Sequence, residues 1–323
     1  MTHESPPSAQ PRPDQPTRPK KRDVHGWLIF DKPVGMTSTH AVALAKRAFN
    51  AKKAGHAGTL DPLASGCLPI ALGEATKTVP FIMDGQKAYR FTITWGAETD
   101  TDDTEGRIIN TSDKRPSREE VEALLPRFTG TIQQVPPKFS AIKIAGERAY
   151  DLAREGEAVV LEAREVVIDQ LEIIAHSETS TTLEARCGKG TYVRAIARDM
   201  GQALGCYGYV TALRRMQVGP FTADDFVTPE DLSAEMPDHA ALQAHLAGLL
   251  QPVERGLQEL FAHEVTRSDA GRLRRGQGVI LRGRDSPIYD ERMVAVFCAG
   301  DLVAIGQIEG AELRPHRVFN LAG

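Results

Sequence analysis

The sequence predicts an α+β fold, two folded units behind a polar tail, and three observations carry that prediction. Segments with two-residue alternation and segments with 3.6-residue periodicity succeed one another through residues 24–254. From about residue 255 the helical pattern gives way to short strand candidates separated by Gly- and Asp-rich turns. The chain has 323 residues, more than the roughly 250–300 at which a single core stops growing.

Residues 1–23 are rich in Pro, Ser, Gln and Thr and carry a basic cluster at Lys20, Lys21 and Arg22. Such a segment buries too little apolar surface to offset its ordering entropy, so a disordered tail is expected. Gly26-Trp27-Leu28-Ile29-Phe30 is the first strand, and Asp31-Lys32-Pro33-Val34-Gly35 turns the chain. Ser38 or Thr39 is the expected cap of a helix with Ala41, Leu44, Ala45, Ala48 and Phe49 on its apolar side. A glycine-rich loop runs from Gly55 to Gly66. Beyond it, Tyr89, Phe91, Ile93 and Trp95 alternate with Arg90, Thr92 and Thr94, as in a half-buried strand. Leu183, Ala185 and Cys187 alternate likewise. After Gly188-Lys189-Gly190 a helix is expected from about Thr191, with Val193, Ile196, Ala197, Met200 and Leu204 turned to the core. Val279–Leu281, Met293–Phe297 and Leu302–Ile308 are the strand candidates of the small C-terminal unit, residues 255–323. No internal repeat is evident.

Composition is ordinary for a globular protein, 41% hydrophobic and 25% charged. No apolar run reaches the ~18–20 residues of a membrane span, and the N-terminus lacks the apolar core of a secretory signal, so a cytoplasmic protein is expected. Cys67, Cys187, Cys206 and Cys298 are scattered without C-x-x-C spacing, which argues against a zinc site or a disulfide framework. The net charge of -4 disfavours a nucleic-acid partner taken as a sum, but charge is segregated. Basic residues gather at Arg186, Lys189, Arg194, Arg198, Arg214 and Arg215 and again from Arg267 to Arg284, while acids concentrate between Asp100 and Glu105.

Asp61 stands out within Gly55-His56-Ala57-Gly58-Thr59-Leu60-Asp61-Pro62-Leu63-Ala64-Ser65-Gly66. Glycines let a substrate approach the backbone and proline stiffens it, so a carboxylate fixed there suits a nucleophile or general base. Asp-Pro by itself also fits an ordinary Asx turn. Other motifs fail on spacing. Counted from Asp100 as a calcium loop, the acidic run has its glycine one place late and Thr111 at the twelfth position, where glutamate belongs. No phosphate-binding G-x-x-x-x-G-K-[ST] occurs, and Gly188-x-Gly190 lacks the third glycine of a dinucleotide fingerprint.

The loop closely resembles the motif around the nucleophilic aspartate of the TruB-type pseudouridine synthases, and the resemblance continues in order along the chain. Asp31-Lys32-Pro33 with Gly35-Met36-Thr37-Ser38, Leu72 to Lys77, Lys87 to Arg90, Thr99 to Gly106, Gly188 to Arg194 and Leu213-Arg214-Arg215 all match. The resemblance implies a mixed-sheet α+β catalytic domain with its site in a cleft, and a C-terminal unit similar to a PUA-like β-barrel. It implies isomerisation of uridine to pseudouridine at position 55 in the T-loop of tRNA, by base flipping, with no cofactor and no metal, in a monomer.

Residue by residue, it implies Asp61 as nucleophile with Arg194 as its ion-pair partner, a role that a forked, permanently charged guanidinium suits. Tyr89 would stack on the base and is a candidate for removing a sugar proton, and Leu213 would line the other side of the pocket. His56 would fill the space vacated in the RNA loop. Asp103 and Tyr192 would support the substrate side of the site, and Lys32, Lys77 and Lys189 would serve RNA contacts or site structure. Arg267, Arg272, Arg274 and Arg275 would be further tRNA contacts. Two alternatives stand beside this reading: a non-catalytic RNA-binding protein or tRNA-folding chaperone, and a metal-dependent hydrolase using His56 and the acidic turn.

Overall fold

The computed structural model describes residues 20–140, 143–144, 147–148, 161–281 and 292–321. In chain order the elements are β1 (Gly26–Lys32), α1 (Ser38–Ala48), β2 (Ala54–His56), β3 (Ala64–Leu72), α2 (Val79–Asp84), β4 (Lys87–Trp95), β5 (Ala97–Thr99), β6 (Ile108–Thr111), α3 (Arg118–Leu124), β7 (Gly130–Gln134), β8 (Lys143–Ile144) and β9 (Glu147–Arg148). Then come β10 (Arg164–His176), β11 (Ser180–Cys187), α4 (Val193–Leu204), β12 (Gly208–Val218), α5 (Pro229–Leu232), α6 (His239–Gly248), β13 (Phe261–Glu264), α7 (Arg267–Arg274), β14 (Val279–Ile280), β15 (Arg292–Cys298), β16 (Asp301–Glu309) and β17 (Glu312–Val318).

The large sheet has the order β1-β3-β12-β4-β11-β10-β7, with β2 added on β3. Its pairs are antiparallel except β3 with β12, so the expected mixed sheet is present. The alternation of β4 has its predicted consequence, with Phe91, Ile93 and Trp95 buried on one face. That face packs against α1, α3 and α4 through Ala41, Ala45, Val121, Ile196, Ala197 and Met200. The parallel pair β3–β12 positions the glycine loop. It sets the end of the glycine loop beside Leu213, Arg214 and Arg215, which pair with Ala64, Ser65 and Gly66. Gly66 has φ +98°, and a Cβ there would lie 2.2 Å from the Arg215 carbonyl, so only glycine allows that approach.

The C-terminal sheet has the order β13-β15-β16-β17-β14. Among the described residues it is a curled half-barrel, in keeping with the small β-rich, PUA-like unit expected from sequence. One core cluster, Leu28 to Leu246, lies before the division at residues 254/255, a second, Ala270 to Leu313, lies after it, and a third spans it. Trp27, Ile29, Phe221, Val253 and Leu257 share one apolar cluster with Ala295, Leu302, Ile305 and Phe319. Arg22 exchanges backbone hydrogen bonds with Asn50 and Lys52, and Asp23 pairs with Lys52, so Arg22 and Asp23 are tied to the fold. Residues 1–19 lie outside the described residues, as does Arg284. Among the described residues no helix is long and apolar enough to cross a membrane.

Candidate active site

Asp61 sits at the start of a tight turn, its carbonyl accepting from Ala64 N at 3.0 Å. The Asp-Pro turn uses the backbone and does not engage the carboxylate. Three neighbours fix that backbone. Ser38 Oγ donates to Leu60 O at 3.0 Å and accepts from Leu60 N at 2.9 Å. Gly35 N donates to Pro62 O at 2.7 Å. Lys32, fully buried, donates through Nζ to Met36 O at 2.7 Å, Pro33 O at 3.0 Å and Pro62 O at 3.4 Å. Burial pulls its pKa down to about 8 while Asp61 pulls it up, so Lys32 serves site structure rather than an outward contact. The expected cap at Ser38 or Thr39 is corrected: Thr37 caps α1, accepting from His40 N. Ser38 is freed to hold Leu60, a contact with a residue 22 positions away that a local capping argument does not reach.

Arg194 arrives from the first turn of α4, and its Nη2 lies 3.0 Å from Asp61 Oδ2. The carboxylate and the guanidinium, 133 positions apart in sequence, thus meet as expected, but not as a parallel fork. The guanidinium is shared: Nη1 reaches Asp103 Oδ2 and Thr101 O, each at 3.2 Å, and Nη2 also donates to Phe139 O at 2.9 Å. The asymmetry of burial is the important feature. The Arg194 and Asp103 side chains are 8% and 2% exposed, whereas that of Asp61 is 39% exposed. A buried cation held by a buried acid therefore presents one carboxylate to solvent.

Tyr89 and Leu213 lie on adjacent strands that carry the sheet to this site. Burial raises the Tyr89 and Tyr192 phenol pKa values, and Asp61 is among the lesser charges acting in the same direction. Tyr192 caps α4 and exchanges hydrogen bonds with the Gln134 amide at 2.9 and 3.2 Å. The helix predicted from Thr191 thus starts at Val193. His56 ends β2, with its Nδ1 buried and without a partner; burial first and Arg215 second lower its pKa. Burial pushes the Cys67 thiol up to about 12, which removes it as a nucleophile.

Lys77, expected to serve RNA contacts or site structure, is held within the fold. Its ammonium is taken by Glu74 Oε2 at 2.6 Å and Val318 O at 2.7 Å, which ties it to the end of the last strand. Lys189 forms an exposed ion pair with Asp84 at 2.7 Å. Arg267, Arg272, Arg274 and Arg275 are exposed on α7 and the residue after it. Among the described residues no group of three or more His, Cys, Asp or Glu side chains is arranged to hold a metal ion.

A second clamp, unforeseen from sequence, lies one helical turn further along α4. Arg198 reaches Asp102 Oδ2 at 3.3 Å, Asp199 Oδ1 at 2.8 Å and Val135 O at 2.7 Å. Asp102 is buried at φ +63°. Burial outweighs Arg198 and Arg194 and pushes its carboxyl up to about 6, against an ordinary 3.8. The folded protein then binds a proton between about pH 6 and 4 that the unfolded chain does not, so the ionised group costs stability above pH 6 and ceases to cost it near pH 4. Asp102→Asn is accordingly expected to be more stable than the parent above pH 7, by about 1–3 kcal/mol in urea unfolding. That gain should vanish near pH 4.

Residues 46–193 match the family model described as TruB family pseudouridylate synthase (N terminal domain), and residues 194–258 match the tRNA pseudouridylate synthase B C-terminal domain. The chain is 60% identical over 307 residues to the tRNA pseudouridine synthase B of Rhodopseudomonas palustris, covering 95% of this chain and 84% of that protein. It is 55% identical over 319 residues to the protein of the same name from Brucella ovis, covering 93% and 97%. Among solved structures it is similar to a chain of a Cbf5-Nop10-Gar1 complex, with TM-score 0.73 and 24% identity over 97% of this chain and 92% of that one, a likeness of fold.

Proposed function

The chain belongs to the TruB family of pseudouridylate synthases, and from that membership we propose that it isomerises uridine 55 in the T-loop of tRNA, with Asp61 as the carboxylate acting on the ribose. The observation that carries the reading is the solvent-facing Asp61 held by the buried Arg194–Asp103 pair. In the reaction the C1′–N1 bond breaks, the uracil turns, and C5 bonds to C1′. C5 loses a hydrogen and N1 gains one, so nothing is oxidised and no group is imported. Asp61 serves either by attacking C1′ or by helping to remove the C2′ proton to give a glycal, and both routes place it at the sugar.

A stacked T-loop uridine must leave the loop to reach Asp61, at a cost of a few kcal/mol. Stacking on Tyr89, with Leu213 on the other side, recovers roughly 1–3 kcal/mol. His56, its pKa lowered by burial and by Arg215, enters the vacated space as an uncharged ring. Tyr192 and Asp103 support the sugar side through Arg194 and Gln134. The exposed arginines Arg267, Arg272, Arg274 and Arg275 fit phosphate contacts along the T-arm. The protein acts in this reading as a cytoplasmic monomer. Incubating it with an unmodified tRNA transcript in EDTA and mapping pseudouridine by position tests the assignment. One product site is expected, in the T-loop. Products elsewhere, or dependence on added metal, would refute it.

A further inference from the structure

Arg215 is a buried cation without an acid. It is 3% exposed, and among the described residues no ion pair involves it. Three hydrogen bonds go to backbone carbonyls, Nε to Cys67 O at 2.8 Å, Nη2 to Gly58 O at 3.1 Å and Nη1 to Thr59 O at 3.3 Å, and the Tyr89 hydroxyl is a further hydrogen-bond partner. The neighbouring Arg214 has its acid, Asp31, at 2.8 and 2.9 Å on the opposite side of β12. Leaving a guanidinium buried and unpaired is expensive, and a fold that needed only a carbonyl staple would hold it more cheaply with a neutral amide.

Its position suggests what the charge is for. Arg215 stands directly across from Tyr89 in the β12–β4 register, two residues from Leu213 on the same face, and its carbonyl partners Gly58 and Thr59 lead into Asp61. Gly58 stands at φ +99°, and a Cβ there would lie 3.7 Å from Arg215 Nη1, an ordinary contact, so the backbone angle and not space calls for glycine.

We propose that Arg215 is a further positioning residue of the isomerisation, fixing the backbone that carries Asp61 and supplying a preset positive charge beneath the base pocket for the uracil anion. When the C1′–N1 bond breaks, its electron pair leaves with the uracil, which carries the negative charge over N1 and its carbonyl oxygens until C5 bonds to C1′. A fixed cation in a site shielded from water stabilises that charge without reorganising. The neighbouring groups feel it. It opposes the burial that raises the Tyr89 pKa, where Cys187 and Asp61 act the other way, and it adds to the burial that lowers those of His56 and Lys32. The inference rests on the reaction assigned to Asp61, and its test separates the two.

Arg215→Lys keeps the charge and loses most of the staple, whereas Arg215→Gln keeps a donor and loses the charge. Single-turnover pseudouridine formation is expected to fall about 10-fold or less for lysine and about 100–1000-fold for glutamine, with tRNA affinity within about 3-fold of the parent for both. In spectra of imidazole-labelled protein, His56 should titrate higher in Arg215→Gln and stay low in Arg215→Lys. Equal rate losses in the two variants, or a His56 titration that ignores the charge, would overturn the electrostatic role. If Arg215→Gln does not fold, Arg215→Lys decides alone: a loss as complete as that of Asp61→Asn overturns the proposal. A parent protein inactive on tRNA would instead refute the reading of Asp61.

Discussion

Asp61→Asn is expected to bind tRNA with nearly the parent affinity and to form no detectable pseudouridine, a loss of at least about 10⁴-fold in single-turnover rate. The substitution is nearly isosteric and keeps an oxygen for the Arg194 Nη2 that lies 3.0 Å away. The turn is untouched, since it is made by the Asp61 carbonyl, the Ser38 clamp on Leu60 and the Lys32 clamp on Pro62. Only the negative charge and its nucleophilicity are removed. Affinity should survive because most of it comes from phosphate contacts spread over basic surface. A binding protein or folding chaperone with the same surface would lose nothing, so the variant separates the two classes of function. Loss of tRNA binding in parallel with activity would mean that Asp61 is a contact, not the reacting group.

Arg194→Lys is expected to cost about 10²–10³-fold in rate while changing affinity little. Charge is conserved, but an ammonium on a flexible stem cannot serve Asp61, Asp103, Thr101 O and Phe139 O at once. Asp103, 2% exposed, would keep the ammonium, because an unpaired buried carboxylate costs more than an unpaired half-exposed one. Asp61 would then lose its orientation. The effect should appear in the rate of the chemical step and not in tRNA affinity, and fluorescence titration with quench-flow on one tRNA measures both. A rate within 3-fold of the parent would show that charge near Asp61 suffices and that the shared geometry is incidental.

The site was legible in sequence where one short segment carried the chemistry. The loop from Gly55 to Gly66 stands out by its glycines and Asp61-Pro62, and the structure keeps Gly58 and Gly66 at positive φ, although Gly55 is an ordinary strand residue. The pairing of Asp61 with Arg194 was not written in either segment. It depends on β3 and β12 lying side by side and on α4 returning over the sheet, and it was reached only because an ordered series of motifs matched a family. Ser38 and Arg215 escaped for a different reason. A serine before a helix has a local explanation as a cap, and an arginine has one as a solvated charge, so neither announces a buried long-range partner.

In the fold, β1, β4, β11, α1, α4 and the short strands β14, β15 and β16 are legible in the sequence, whereas β13, β17 and α7 are not. β13 has four residues, β17 carries Pro315 among charged positions, and α7 read only as a basic run. The partner of Lys77 is not legible in sequence either, since Val318 lies 241 positions further on.

Forming the C–C bond expels the hydrogen at C5 of the target uridine, so a tRNA labelled with tritium at its uridine C5 positions reports the chemistry itself. A single-turnover time course with saturating protein, the parent and Asp61→Asn side by side at equal tRNA occupancy, is the most direct measurement. The parent should release one C5 hydrogen per tRNA, from the T-loop uridine, and the variant none. Release from Asp61→Asn at the parent rate would contradict the assignment of that carboxylate to the reaction.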